Sequence, residues 1–317
     1  MYNFGELKEK AGILVQRSGD TDYLTKIGVW LQLSHKLLTE IYDYWFDLQD
    51  IYNFNTANGT ENYPLPNNFD KPFRLYDIDN NKKMTVKTEE EYFDDNIANI
   101  IDVNKGKPDT ARIYGTVGVR VPISTSGATV KVKSSFITEP TAVVVRIEGY
   151  LDSAFLILGY ENITIPIVAS TTFVAGTTTF YKITHVSKSI NTTGYITIAN
   201  SAETTLDTLA PSERVSRHKV LKLGLIPNAT IAMRLLYKKT AIEMVNDYDY
   251  PFTECDRYMI MDAVGWAQKQ EGKDQQAEFT WNKAAEALKA LLLAQNNKLG
   301  PDYIHKVTST WAQAHRV

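Results

Sequence analysis

The chain has 317 residues, 44% hydrophobic and 22% charged, enough for two average domains or one large one, which excludes wholesale disorder, a collagen and a disulfide-rich miniprotein. Lys and Arg total 34 against 37 Asp and Glu, a net charge of -3 that argues against condensation on nucleic acid by counterion release. Cys255 is the single cysteine, which excludes an intrachain disulfide and a cysteine zinc site, and no apolar run is long enough to span a membrane. The first residues, Met1 to Glu6, lack the basic and apolar regions of a signal peptide, so export is not expected.

Asn3 followed by Glu6 is a capping-box pattern, and Leu7, Ala11, Leu14 and Val15 then share a face, predicting a short first helix that stops at Gly19. From Thr21, positions Leu24, Ile27, Leu31, Ser34, Leu38, Ile41 and Trp45 step by three and four, predicting one long helix with a continuous stripe. Asp50 to Asn55 reads as extended. Phe73 to Ile78 is expected to pair with Met84 to Lys87 across Asp79-Asn80-Asn81, with a short acidic helix over Glu89 to Asn96.

Composition then shifts. Thr116 to Ser216 holds 101 residues, 18 of them Thr and only 14 charged, with no Trp or Met. Short β-branched runs, Ala128 to Val132, Ala142 to Ile147, Phe155 to Leu158, Ile163 to Val168, Thr177 to Thr184 and Tyr195 to Ile198, are punctuated by Gly127, Gly149, Gly176 and Gly194. An inserted all-β, immunoglobulin-like sandwich is expected over 116–216. Beyond it, Lys219 to Leu223 and Thr230 to Tyr237 read as strands around a Pro227-Asn228 turn. Two helices follow. Thr253 and Asp256 cap the first, whose face is Met259, Ile260, Ala263, Val264 and Ala267. The second, Lys273 to Gln295, turns Phe279, Ala284, Ala287, Leu288, Leu291 and Leu292 inward. The fold expected is therefore α+β and multidomain. A helical bundle with a small β element, 1–115 with 217–295, is interrupted by the sandwich and ends in a polar tail, 296–317.

Local chemistry is sparse. Asp77-Ile78-Asp79-Asn80-Asn81 opens like an EF-hand, but Lys82 and Thr88 stand where glycine and a bidentate glutamate belong, so an Asx-rich turn is expected and no metal site. His35, His185, His218, His305 and His315 lack metal or triad spacing, and GxGxxG, P-loop, GxSxG and HExxH motifs are absent. No catalytic residue, no cofactor and no enzyme activity is expected. Cys255 reads as a buried helix residue, and Asn246 to Pro251 as helix entry. The tryptophans Trp30, Trp45, Trp266 and Trp281 read as core or subunit packing.

Taken as a set, the flanks resemble the head-to-tail adaptor (connector) proteins of tailed bacteriophages. The likeness rests on a short then a longer helix ending in Tyr42-Asp43-Tyr44-Trp45-Phe46, then Tyr63-Pro64-Leu65-Pro66-Asn67-Asn68-Phe69 and Phe73-Arg74-Leu75-Tyr76-Asp77. It continues through Gly106-Lys107-Pro108 with Tyr114, Val220 to Leu223 and Met233 to Tyr237. Last come Asp249-Tyr250-Pro251 and the helices carrying Ala263, Ala267, Gly272-Lys273-Asp274, Ala277 and Phe279. The resemblance implies a virion neck protein, assembled in the host cytoplasm as a homo-oligomeric ring, usually twelve-fold, below the portal. Such a ring meets the portal protein and the tail or nozzle proteins and passes double-stranded DNA without binding it specifically. It also implies that Tyr303, Ile304, Val307 and Trp311 of the tail dock on the portal. The rival reading is the Thr-rich sandwich as a carbohydrate or cell-surface binding module on a helical stalk.

Overall fold

The computed structural model describes residues 1–88, 90–91, 105–124, 126–168 and 170–295. Its described part holds four α-helices and 17 strands in four sheets, so the protein is mostly β. This corrects the expected helical bundle with a small β element interrupted by an immunoglobulin-like insert. The physical reason lies in the described parts of 49–117 and in 218–239, where many short runs pair as strands. Those runs make a seven-stranded sheet with its own core, including Leu65, Phe69, Leu75, Met84, Leu221 and Leu235.

The chain divides into two compact units, Met1–Asp50 with Lys238–Val317, and Ile51–Tyr237. In the first, α1 (Phe4–Leu14) starts with a complete capping box: Asn3 accepts from the Glu6 amide and Glu6 accepts from the Asn3 amide. It stops five residues before Gly19. Gln16 takes the left-handed conformation (φ 59), while the Gln16 and Arg17 amides close on the Ile13 and Gly12 carbonyls as a Schellman motif. Helix α2 (Thr21–Ile41) buries Ile27, Leu31, Ser34 and Leu38. It ends before Trp45, because Tyr42 is extended, and the Trp45 indole folds back to donate to the Leu38 carbonyl at 2.8 Å.

Helices α3 (Asp256–Gln270) and α4 (Asp274–Gln295) complete this unit. The cap of α3 is Cys255, without a side-chain hydrogen bond, so the expected Thr253 cap does not form. On α4, Ala284, Leu288 and Leu292 are buried, but Phe279 points outward. All four helices share one core from Phe4 and Leu7 through Leu31, Met259 and Leu288. The opening and closing segments also meet by backbone, since Phe4 and Gly5 at the start of α1 donate to the Asp249 and Asp247 carbonyls at 2.8 and 2.9 Å.

The second unit begins within β1 (Gln49–Asn55) and runs through β2 (Asn62–Pro64), β3 (Phe69–Asp77), β4 (Lys82–Lys87), β5 (Lys105–Gly106) and β6 (Thr110–Val117). The Glu89 to Asn96 expectation falls almost wholly outside the described residues. Then come β7 (Ala128–Ser134), β8 (Val143–Tyr150), β9 (Leu158–Ile165), β10 (Val174–Phe180), β11 (Lys182–Lys188), β12 (Ile196–Asn200), β13 (Thr205–Leu209) and β14 (Val215–Ser216). Last are β15 (His218–Leu223), β16 (Ile226–Pro227) and β17 (Ala232–Lys239).

The large sheet is ordered β1-β17-β3-β4-β6-β15-β2. Leu75 faces Met84 across the β3–β4 hairpin, but β15 and β17 do not pair with each other as a hairpin would; β3, β4 and β6 lie between them. The chain leaves this sheet at β6 and returns in β15, its antiparallel neighbour, with His218 opposite Val117. Between those two points lie two four-stranded sheets, β10-β7-β12-β13 and β14-β11-β8-β9, around a core rich in Val and Ile. The alternation is plain in β8, where Val143, Val145, Ile147 and Gly149 face inward. The run Phe155 to Leu158, expected as strand, is a hairpin tip that enters β9 only at Leu158, and Gly149 and Gly176 lie inside strands rather than in turns.

Candidate functional site

Local sequence offered no chemical site, and among the described residues the buried polar clusters that folding assembles are closed by their own hydrogen bonds. Among the described residues no group of three or more His, Cys, Asp and Glu could hold a metal ion. Asp77 is buried and accepts from the Asn80 amide at 2.9 Å and the Asn80 side chain at 2.7 Å, an Asx turn where the EF-hand likeness fell. Cys255 is buried, and burial, with Asp256 adding to it, pushes its thiol well above the usual range. His35 accepts from the Phe252 amide at 3.2 Å, and burial pushes its imidazole down to about 4.

Sequence reading missed two buried polar clusters in the second unit. Asp207, Ser216 and His218 have the composition of a catalytic triad but not its geometry. Asp207 Oδ2 and Ser216 Oγ both sit on His218 Nε2, at 2.6 and 3.1 Å, the Ser216 hydroxyl donates to Asp207, and Nδ1 donates to the Leu65 carbonyl at 2.7 Å. A triad needs the carboxylate on one ring nitrogen and the hydroxyl on the other. All three side chains are buried, and together they fasten β13, β14 and β15 to the loop at Leu65. Asp207, Ser216 and His218 lie within 12 residues in sequence, but their spacing matches no motif, and the Leu65 carbonyl that completes the cluster lies 153 residues away.

Within the two smaller sheets, Lys188 donates to Thr192 Oγ1, the Ala210 carbonyl and the Pro211 carbonyl at 2.8, 2.7 and 2.8 Å. Burial lowers its ammonium to about 8, against the pull of Glu213 and Glu139. Nearby, Glu139 is buried, which raises a carboxyl, yet hydrogen bonds from Ser134 and from the Thr193 and Gly194 amides hold it below the usual range. Every donor of Lys188 is used, so this pair is internal scaffolding.

The remaining sequence-selected residues are aromatic. Trp45 is fully buried, edge-on to Tyr42 and Phe252 with ring centroids 5.3 and 5.7 Å away. Trp281 is buried and meets the half-buried Trp266 at 5.2 Å, and Trp30 packs half-buried against the same core, edge-on to Tyr23. Tyr303, Ile304, Val307 and Trp311 lie outside the described residues.

What the described surface does offer is apolar area. On the helical unit Ile13, Leu14, Val29, Leu33, Tyr248 and Phe279 are about half exposed or more. Leu14 and Phe279 line an open cleft of about 420 Å³ with Met261 and Val264, rimmed by Gln268 and Lys283. The loops of the second unit and the start of β9 show two further groups, Phe155 to Leu158 and, elsewhere, Phe136, Ile137, Ile167 and Val168. No family model matches the chain, and no curated protein matches it.

Proposed function

We propose that this chain is a structural assembly protein acting by surface complementarity: a head-to-tail adaptor whose copies close into a ring below a portal, extend the DNA channel and receive the tail. The observation that carries the reading is a helical unit whose core is complete while a set of large apolar side chains, Ile13, Leu14, Val29, Leu33, Tyr248 and Phe279, stays in water. Single exposed apolar residues are ordinary, but that many on one small unit fit a surface that assembly covers. The slight negative charge is consistent with a conduit, since -3 per chain repeated around a ring repels phosphate and lets a duplex slide. Catalysis has no support from the buried polar clusters, whose donors and acceptors are spent on each other.

The tail residues Tyr303, Ile304, Val307 and Trp311 remain the proposed portal-docking group, by resemblance to the family. Light scattering and negative-stain images test the ring directly: closed particles of many copies are expected, and a chain that stays monomeric at high micromolar concentration ends the reading. Deleting 297–317 should leave a folded protein that no longer joins portal-containing particles.

A further inference from the structure

We propose that the sandwich formed by β7 to β14 mates head to tail with the sandwich of a second copy. The hairpin tip Phe155–Leu158 of one seats on the apolar end made by Phe136, Ile137, Ile167 and Val168 of the next. The proposal rests on the ring reading and names a contact that would repeat around the ring.

The two patches occupy opposite ends of one strand pair. Tyr150 faces Leu158 beside the tip, and Val143 faces Ile165 beside the other end. The strand between them spans about 23 Å. At the tip, Asp152 Oδ1 accepts the Leu156 and Ile157 amides at 2.9 and 2.8 Å, and the Leu151 amide donates to the Ile157 carbonyl at 2.9 Å. This cradle holds Phe155 at φ 56, a region that a bulky side chain enters only when its surroundings impose it. In a strand alternate residues turn inward, but here Phe155, Leu156, Ile157 and Leu158 are 48, 80, 58 and 65% exposed in succession.

The far end is equally fixed. Thr138 bridges Val168, the Glu139 amide donates to the Ile167 carbonyl at 3.0 Å, and the Ser170 amide donates to the Ile137 carbonyl at 3.3 Å. Ile137 and Val168 are 65 and 69% exposed there, with Phe136 and Ile167 beside them at 44 and 43%.

Charge and area both suit a mutual contact. No Asp, Glu, Lys or Arg occurs in 153–160, 134–138 or 162–172, so mating the two ends strands no charge belonging to those segments. Four large side chains per patch, each showing on the order of 100 Å², would remove roughly 800 Å² from water, the apolar centre of an interface of ordinary size. One contact satisfies both ends at once, whereas foreign partners would have to be two. Because the joined surfaces differ, the contact is heterologous and continues from copy to copy instead of stopping at a dimer.

Cys255 is the only cysteine and is buried, so introduced cysteines report alone. The full-length chain carrying Leu156→Cys and Val168→Cys together should give, under mild oxidation, a ladder of covalent multimers beyond the dimer, while each single variant gives no ladder. Strong dimers from Leu156→Cys alone would mean tip-to-tip pairing and overturn the proposal. A double variant without a ladder, in a preparation whose scattering mass is still that of a large assembly, overturns the contact and leaves the ring reading standing. A monomeric native chain overturns both.

Discussion

In the helical unit, Phe4 and Leu7 from one end of the chain pack with Met259 and Leu288 from the other, in a core of aromatic, Met and Leu side chains. In the sandwich, the core runs from Val119 to Leu209 without leaving the segment and is dominated by Val and Ile. The first arrangement depends on large side chains that interlock across long sequence separations. The second depends on backbones brought close by pairing, with small branched side chains between them. The difference predicts where each is fragile: the helical unit at its aromatic keystones, the sandwich wherever extra volume meets main chain.

The largest effect is expected at Trp45. It is fully buried, contacts Tyr42 and Phe252 edge-on, and satisfies the Leu38 carbonyl that the end of α2 leaves open. Trp45→Ala should cost about 3–5 kcal/mol, read from denaturant midpoints, while amide exchange of β8 and β11 stays as in the native chain. Parallel loss of protection in those strands would show that the two cores are not energetically separate.

Acid should sharpen the same contrast. The folded imidazole of His35 titrates near 4 and the unfolded one near 6.5, so between those values the unfolded state holds a proton that the folded state lacks. Stability therefore rises with pH across that window and falls on acidification, by roughly 3 kcal/mol from this group at full protonation of the unfolded chain. No tryptophan lies in the sandwich, so tryptophan fluorescence reads the helical unit. His35→Gln should flatten its stability profile between pH 6.5 and 4. In the sandwich, Lys188 titrates near 8 when folded and 10.5 when unfolded, so its contribution increases with pH over that alkaline window instead.

Elements driven by neighbours in sequence were legible, and those driven by distant partners were not. The Asn3–Glu6 box, the Ile27–Leu31–Leu38 stripe and the Leu75–Met84 hairpin follow from spacing alone. The end of α2 did not, because Trp45 keeps the helical step while Tyr42 has already turned extended. Phe155 to Leu158 has strand composition, yet Asp152 captures two of its amides and makes a tip. Phe279 meets solvent because it lies about 140° round α4 from Ala284, off the face that Ala277, Ala284, Leu288 and Leu292 bury. The size of the sheet was underestimated because β15 and β17 each pair with strands far off in sequence, whereas the Asp207–Ser216–His218 cluster, though local, matches no motif that spacing could flag.

Two glycines separate the two kinds of packing. A Cβ on Gly149 would lie 2.2 Å from the Lys182 carbonyl oxygen, a main-chain atom held in the β8–β11 pairing. A Cβ on Gly265 would lie 2.3 Å from Trp281 Nε1, a ring atom of a buried indole that meets Trp266, so the indole has to turn against its neighbour. Gly149→Ala should therefore cost about 3 kcal/mol, toward the upper end for overpacking, and Gly265→Ala about 2 kcal/mol, because only a side chain and not the main chain has to give way, with altered tryptophan emission. Equal costs would mean that the helical core is as rigid as a paired sheet.

The smallest effect concerns left-handed residues outside both cores. Gln16 at φ 59 closes the Schellman motif of α1 with an exposed side chain, whereas Phe155 at φ 56 displays a side chain at the hairpin tip. Gln16→Gly removes a Cβ from a conformation that disfavours it, and the greater freedom of glycine in the unfolded chain offsets part of the gain, leaving about 0.5 kcal/mol of added stability. Phe155→Gly should give a similar gain in the monomer while weakening association, because the side chain that imposes the strain is the one the contact uses. A Phe155→Gly chain that gains stability and assembles as well as the native one would leave the strained tip without a purpose in assembly.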